Sequence, residues 1–332
     1  AALIEFNHVV AYANSKFNEG QGLTPSRANK PIIRDPNGTA LTRAYLQYNK
    51  FSDYTFRLGR QFIDLDDERF IGSDQFRQTP QNYDAFTMTS TVFYQMELYY
   101  AYIFQVNTVY SGSGAPTSTN NHQTHAVNIS WNGLPYGTLT GYAYLVNDRA
   151  TITNSTNTLG VRLEGDWLLG SLDTGYVLEY AHQRDAHDNP THFSADYTAA
   201  KVYTGFAPLQ LYAAYQVFDG NVVSGRGFRT PLASFSRLNG WAEQFNPLPD
   251  AGLIDINGGI LGRVSNIALE LHYHLFKSET PQRKIAQEYD VSISKHLFSH
   301  YQMGIDYARF IAQPGSGYSD AHKIWLTLEA NY

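Results

Sequence analysis

Hydrophobic and polar residues alternate along most of this chain with a period of two. Over the last ten residues, Ile324, Leu326, Leu328, Ala330 and Tyr332 fall on one side, and Lys323, Trp325, Thr327, Glu329 and Asn331 on the other. That is a β-strand with one apolar and one polar face. Segments of roughly ten residues with the same alternation predict strands at 2-12, 41-49, 54-62, 83-91, 95-108, 122-131, 136-147, 156-166, 171-183, 193-204, 208-218, 252-263, 266-277, 285-297, 299-310 and 321-332. The count is about sixteen, an even number, in one domain spanning 1-332.

The expected connections alternate in length. Brief turns at Lys50-Asp53, Asn132-Pro135, Trp167-Gly170 and Val264-Ser265 interleave with long polar loops at 13-40, 63-82, 109-121 and 219-251. A soluble propeller or a pair of sandwiches would also show regularly spaced strands. The faces argue against that. Leu159, Val161 and Leu163, or Ile267, Leu269, Leu271 and Tyr273, share one side, while Arg162 and Glu164, or Glu270, His272 and His274, share the other. With no second apolar layer in the sequence, the apolar side is expected to meet lipid and the charged side to line water. The fold class expected is an all-β, up-and-down antiparallel transmembrane barrel, with short periplasmic turns, long extracellular loops and both chain ends in the periplasm.

Composition agrees. Of 332 residues 43% are hydrophobic, mean hydropathy is -0.36, and no run approaches the ~18 to 20 apolar residues of a membrane-spanning helix. Aromatic residues make up 14%, with 25 Tyr and 19 Phe against 3 Met, which suits interfacial girdles. There are no cysteines, so disulfides, thiolate metal sites and cysteine nucleophiles are out of consideration. Lys and Arg total 24 against 30 Asp and Glu, a net charge of -6 that gives no nucleic-acid footprint. Ala1 opens almost directly into a strand pattern, so the chain is expected to be mature or N-terminally trimmed. The barrel itself implies the outer membrane of a Gram-negative bacterium, with the lipid bilayer and lipopolysaccharide as partners.

The runs TRAYLQY at Thr42 to Tyr48, FRLGRQFIDLDDERFIGSDQFRQTPQNYD at Phe56 to Asp84, LEYAHQRD at Leu178 to Asp185 and FRTPLASFSRLNGWAEQF at Phe228 to Phe245 resemble the bacterial alginate export family of outer-membrane channels. The most specific pieces are GRQ at Gly59 to Gln61, LDDERFIG at Leu65 to Gly72 and FRQ at Phe76 to Gln78. This resemblance implies a monomeric barrel of about eighteen strands with a basic constriction through which an anionic, uronic-acid polysaccharide leaves the cell. The chain begins at or just inside the strand that follows the family's first hairpin, so either that hairpin is missing or the barrel is smaller. Tyr332, the aromatic last residue, is the expected contact for the barrel assembly machinery.

Charge departs from the family's pattern. Polar-face parity gives a short basic set, Arg43, Arg57, Arg162 and Lys323, extended by Arg60 and Arg263. The acidic set is longer: Glu5, Glu97, Glu164, Glu179, Asp196, Asp255, Glu270, Glu288, Asp290, Asp306 and Glu329. Folding at Lys50-Asp53 would bring Arg43 near Arg57 and Arg60, and such a like-charge cluster calls for an anion or a carboxylate between. The loop Asp64, Asp66, Asp67, Glu68 and Arg69 is expected to fold inward as a constriction, either setting a transverse field against the basic wall or simply pinned to it by salt bridges.

Other constellations carry less. His272 and His274 share a strand face, yet no third ligand is anchored nearby, so lumen polarity is the expected role. Asp64, Asp66 and Asp67, with Asp35 and Asn37, could offer hard oxygen ligands to calcium but lack an ordered calcium-loop signature. His182, Asp185 and His187 sit at a rim where an enzyme could operate, but GxSxG, GxGxxG and P-loop patterns are missing. A barrel anchor or adhesin displaying loops 13-40 and 219-251 is a further class. The expected function is passive passage of hydrophilic, anionic or saccharide solutes, with a general porin as the alternative; neither an enzyme nor a cofactor is expected.

Overall fold

Sixteen β-strands account for most of the chain, and each is hydrogen-bonded antiparallel to the next in a single sequential sheet. They are β1 (Ala2–Val9), β2 (Gly38–Tyr48), β3 (Tyr54–Gln61), β4 (Asn82–Ser90), β5 (Met96–Asn107), β6 (Thr119–Leu134), β7 (Gly137–Val146) and β8 (Thr156–Leu169), then β9 (Leu172–Asp185), β10 (Ser194–Phe206), β11 (Leu209–Phe218), β12 (Leu253–Val264), β13 (Ile267–Ser278), β14 (Arg283–Leu297), β15 (Tyr301–Ala312) and β16 (Ala321–Ala330). The computed structural model describes residues 1–10, 17–298 and 300–331. Residues 11 and 12 of the first expected strand, Ser299 and Tyr332 lie outside the described residues.

The strand count and order match the expectation. Strands β6 and β8 continue through Leu134 and Leu169, so the turns there are only 135–136 and 170–171 rather than Asn132-Pro135 and Trp167-Gly170. Short connections follow every even-numbered strand, and at the other end the longest are 10–37, 62–81 and 219–252.

The faces sort as the alternation requires. Ile267, Leu269, Leu271 and Tyr273 on β13 are each about 40% exposed, as is lipid-facing Val161 on β8, while His274, Arg162 and Glu179 on the opposite faces are buried. Apolar side chains that meet no other protein layer are what a hydrocarbon boundary demands. Strands β1 and β16 stand at the two ends of the sheet order and do not pair with each other among the described residues. Both nevertheless reach the same loop: the Asn7 amide of β1 donates to the Gln78 carbonyl, and Trp325 of β16 packs edge-on against Phe76 with ring centroids 5.8 Å apart. The sheet therefore curls round loop 62–81.

The interior is filled further than the expected aqueous bore with one inward loop. Loops 62–81 and 219–252 fold into it, bridged in parallel at Ile71 and Leu232, with the Gly72 amide donating to the Leu232 carbonyl at 3.0 Å and the Ser234 amide to the Glu68 carbonyl at 3.1 Å. Loop 219–252 thus lines the inside instead of forming an outer binding face. Phe70 packs against Tyr142, Tyr144, Tyr197 and Phe228, with centroids 5.4 to 5.9 Å away. Phe245 meets Phe276 at 4.6 Å and Phe310 at 5.9 Å. Burying such rings stabilises the loops by about 1.5 to 3 kcal/mol each. Gly240, at φ +80, draws loop 219–252 so close to β14 that a Cβ there would lie 2.5 Å from the Glu288 carboxylate. That carboxylate also accepts the Ala242 amide at 2.6 Å.

Candidate functional site

A dense set of ionisable contacts lies where loop 62–81 meets the wall of β6 to β9. Asp66 and Glu68 adopt positive φ, 53° and 62°, so the backbone reverses tightly and presents its acids in different directions. Asp66 accepts from the Asn128 amide at 2.9 Å and from the Tyr144 hydroxyl at 3.3 Å. Asp67 stands 3.8 Å from Arg162 and 3.7 Å from Arg69. Asp64 instead accepts from the Ser73 amide at 2.6 Å and the Gln75 side chain at 2.7 Å. The three carboxylates diverge, which removes the calcium cluster considered at Asp64, Asp66 and Asp67; among the described residues no group of three or more metal-ligating side chains converges. Burial pushes the Asp66 carboxyl above the usual range, against the pull of Arg162. Glu68 is raised as well, by burial first and by Asp64 second.

Arg162 is the wall's contribution. Cross-strand register sets it opposite Glu179, to which it donates at 3.0 Å, and it donates twice to Glu164, at 3.1 and 2.9 Å. Glu179 also accepts the Tyr142 hydroxyl at 2.7 Å. One guanidinium is therefore ringed by Glu164, Glu179 and Asp67.

The other expected basic residues do not assemble into one cluster. In the β2–β3 register Gln47 faces Arg57 and Ala44 faces Arg60, so the arginines are kept apart. Arg43 pairs with Glu5 and lies 5.0 Å over Phe62. Arg57 donates to Gln47 at 2.9 and 3.2 Å and stacks 4.4 Å over Tyr45, with no carboxylate partner among the described residues. Arg60, expected to line the pore, shares a strand face with exposed Leu58 and grips Asp84 in a bidentate pair at 2.7 and 2.8 Å. It belongs to the outer wall. Asp196 is likewise outward, alternating with buried Ala195 and Tyr197, and bonds His182 at 2.6 Å. With Asp185 bonded to His192 at 2.8 Å instead, His182 and Asp185 form no catalytic pair.

Lys323 is buried 3.7 Å from Glu243. Glu270 lies 3.4 Å from His272. Asp290 is buried 3.8 Å from His274, which is 3.0 Å from Asp255. Glu329, near the periplasmic end, is exposed and accepts from Asn331 at 2.8 Å.

Sequence reasoning missed the ionisable residues carried by the inward loops. Glu243 is enclosed by Arg34 at 2.7 Å, by Arg77 and by Lys323. Arg237 donates to Asp306 at 2.8 Å and stands 4.6 Å over Phe76 and 4.4 Å over Trp241. Lys201, inward on β10 between outward Ala200 and Val202, lies 4.8 Å over Tyr212 with no carboxylate partner among the described residues. At the long-loop end a cavity of about 340 Å³ opens between Arg34, Asp74, Tyr110, Asn154 and Arg229. The available signal was the interleaving of Arg with aromatics in FRTPLASFSRLNGWAEQF.

The profile of the family described as alginate export matches residues 12–206. In fold the chain is similar to the outer membrane protein OpdK of Pseudomonas aeruginosa (14% identity over 88% of this chain and 79% of that one, TM-score 0.68). It is similar also to the structure of OpdK with vanillate (12%, 88% and 78%, TM-score 0.66) and to OccAB4 of Acinetobacter baumannii (12%, 88% and 75%, TM-score 0.70). No curated protein matches the chain.

Proposed function

The chain belongs to the alginate export family of outer-membrane channels, and from that premise we propose that it passes anionic saccharides, uronic-acid chains among them, down their concentration gradient. The observation that carries this reading is two inward cations that stand over aromatic rings with no carboxylate partner among the described residues: Arg57 over Tyr45 and Lys201 over Tyr212. An uncompensated cation over an aromatic face attracts a uronate's carboxylate, and the uncovered part of the ring offers an apolar contact to the sugar's C–H face. Arg237, between two rings and one third exposed, extends the path. Arg43 and Arg162, already matched by carboxylates, hold the wall and the loop in place. In this reading the barrel is one domain working as a monomer, inserted by the barrel assembly machinery through Tyr332.

A second reading, passage of small organic anions, is favoured by the two loops that fill much of the interior and by the vanillate in the OpdK structure. Planar-bilayer recording of the full chain tests both. The expected result is anion selectivity with current block by uronate oligomers, both weakened in Arg57→Gln/Lys201→Gln. Block by vanillate alone would favour the second reading, and cation selectivity in the unmodified protein would overturn the first.

A further inference from the structure

The outer wall carries its own charge pattern at the extracellular end of β13 to β16. Lys277 alternates with buried Phe276 and Ser278, Gln287 with Ala286 and Glu288, Arg309 with Ala308 and Phe310, and His322 with Ala321 and Lys323. All four residues therefore face away from the lumen. A bulge between Phe276 and Lys277 sets Lys277 directly opposite Lys284. Lys284 donates to Gln287 at 3.0 Å, Arg309 reaches Asp320 at 3.2 Å, and His322 lies opposite Arg309. No carboxylate among the described residues forms an ion pair with either lysine. Two like charges placed directly across a strand pair destabilise it unless an anion bridges them.

Depth specifies which anion. Lys277 lies ten residues beyond Ile267, the first outward residue after the short turn. Ten residues rise about 33 Å along a strand. With a tilt of about 40° that becomes roughly 25 Å along the barrel axis, the height of an apolar band. The two lysines thus stand at the outer headgroup level, directly above the exposed Leu271 and Tyr273. Elsewhere on the outer wall Arg60 is matched by Asp84, and Arg184 donates to His182, which is bonded to Asp196.

We infer that Lys277 and Lys284, with Gln287 and Arg309 beside them, form a binding site for the phosphate of a phosphorylated lipid headgroup in the outer leaflet. A headgroup at this height presents phosphate oxygens to both ammonium groups while its acyl chains run down over β13 and β14. The site is independent of which solute crosses the lumen.

Native mass spectrometry of the full chain in detergent tests it, with bisphosphorylated lipid A, the same lipid stripped of phosphate, and inorganic phosphate as probes. The phosphorylated lipid should bind about tenfold more tightly than the stripped one, and Lys277→Gln/Lys284→Gln should erase that preference while Arg184→Gln keeps it. Heat-modified gel mobility and single-channel conductance report whether the double variant is still a folded barrel; both should match the parent. Equal binding of the two lipids to the parent, or an undiminished preference in the folded double variant, overturns the site. Displacement of the lipid by millimolar inorganic phosphate overturns the lipid source and leaves only a phosphate pocket.

Discussion

Arg162 and Glu243 are built as mirror images. On the β8–β9 wall one guanidinium faces three carboxylates, Glu164, Glu179 and Asp67; on the far side of the strand order one carboxylate faces three cations, Arg34, Arg77 and Lys323. Each cluster ties an inward loop to a neighbour: Asp67 brings loop 62–81 to the wall, and Glu243 joins loop 219–252 to β16 and to both other long loops. Only the first is unbalanced, with an excess of acid; in the second, Asp35 at 3.3 Å and Asp74 at 3.7 Å from Arg77 bring the carboxylates level with the cations. The acidic excess therefore stays local to the β8–β9 wall. Overall composition, with its modest acidic excess, gives no hint of this. The same contacts that hold the loops set the local field in the interior.

Removing the hub of the basic cluster is expected to have the largest effect. Glu243→Gln would leave Arg34 and Lys323 in a buried site without their shared counter-charge, while Arg77 keeps Asp35 and Asp74. Breaking a buried ion pair from one side costs about 3 to 5 kcal/mol. The variant should unfold at clearly lower temperature in heat-modified gel mobility, and loop 219–252 should become protease-sensitive first. If both readouts match the parent, Glu243 does not anchor the loop, and the comparison with Arg162 fails.

Arg162→Gln probes the acidic excess and should cost less. Glu179 keeps its bond from Tyr142, and Glu164 is half exposed, so water takes over part of the lost pairing. A loss of about 1 to 3 kcal/mol is expected. Selectivity should respond more than stability: with the guanidinium gone, three carboxylates face the lumen, and reversal potentials should move toward cations. A shift toward anions, or no shift, would show that these acids do not face the conducting path.

Period-two alternation made the wall legible, because each strand's sides answer to different surroundings. On β13 the sequence alone separates Leu269 and Leu271 from Glu270 and His272, and the structure keeps them apart. The same rule already contained the placement of Arg60: it is three residues from Arg57 in one strand, so the two cannot share a face. Grouping them by charge instead of by parity produced the error. Glu243, Arg34, Arg77 and Arg237 were illegible for a different reason. They sit in connections with no repeat to fix direction, and whether a loop turns in or out depends on where Phe70, Phe228 and Phe245 find partners on distant strands. Pairings such as His182 with Asp196 need a register that composition does not supply.

Acidification separates the two clusters with the smallest perturbation. Buried beside the wall, Asp66 holds its proton more tightly than an exposed aspartate, whose pKa is about 3.9. As pH falls it should therefore lose its charge before an exposed aspartate does, reducing the acidic excess near Arg162 while the cations around Glu243 are unchanged. The sign for stability follows from the same shift: a raised folded pKa means the loop's hold is strongest below the unfolded value and weakens as pH rises through the folded one. Reversal potentials measured down a pH series should move toward anions at a pH where exposed carboxylates are still ionised. Asp66→Asn should remove that early step and leave the later one. Asparagine suits the positive φ at this position as well as aspartate does, so the loop's course should survive the substitution. An early step that persists in Asp66→Asn would show that Asp66 is not its source and make Glu68→Gln, at the other loop acid whose proton is held by burial, the next variant to record.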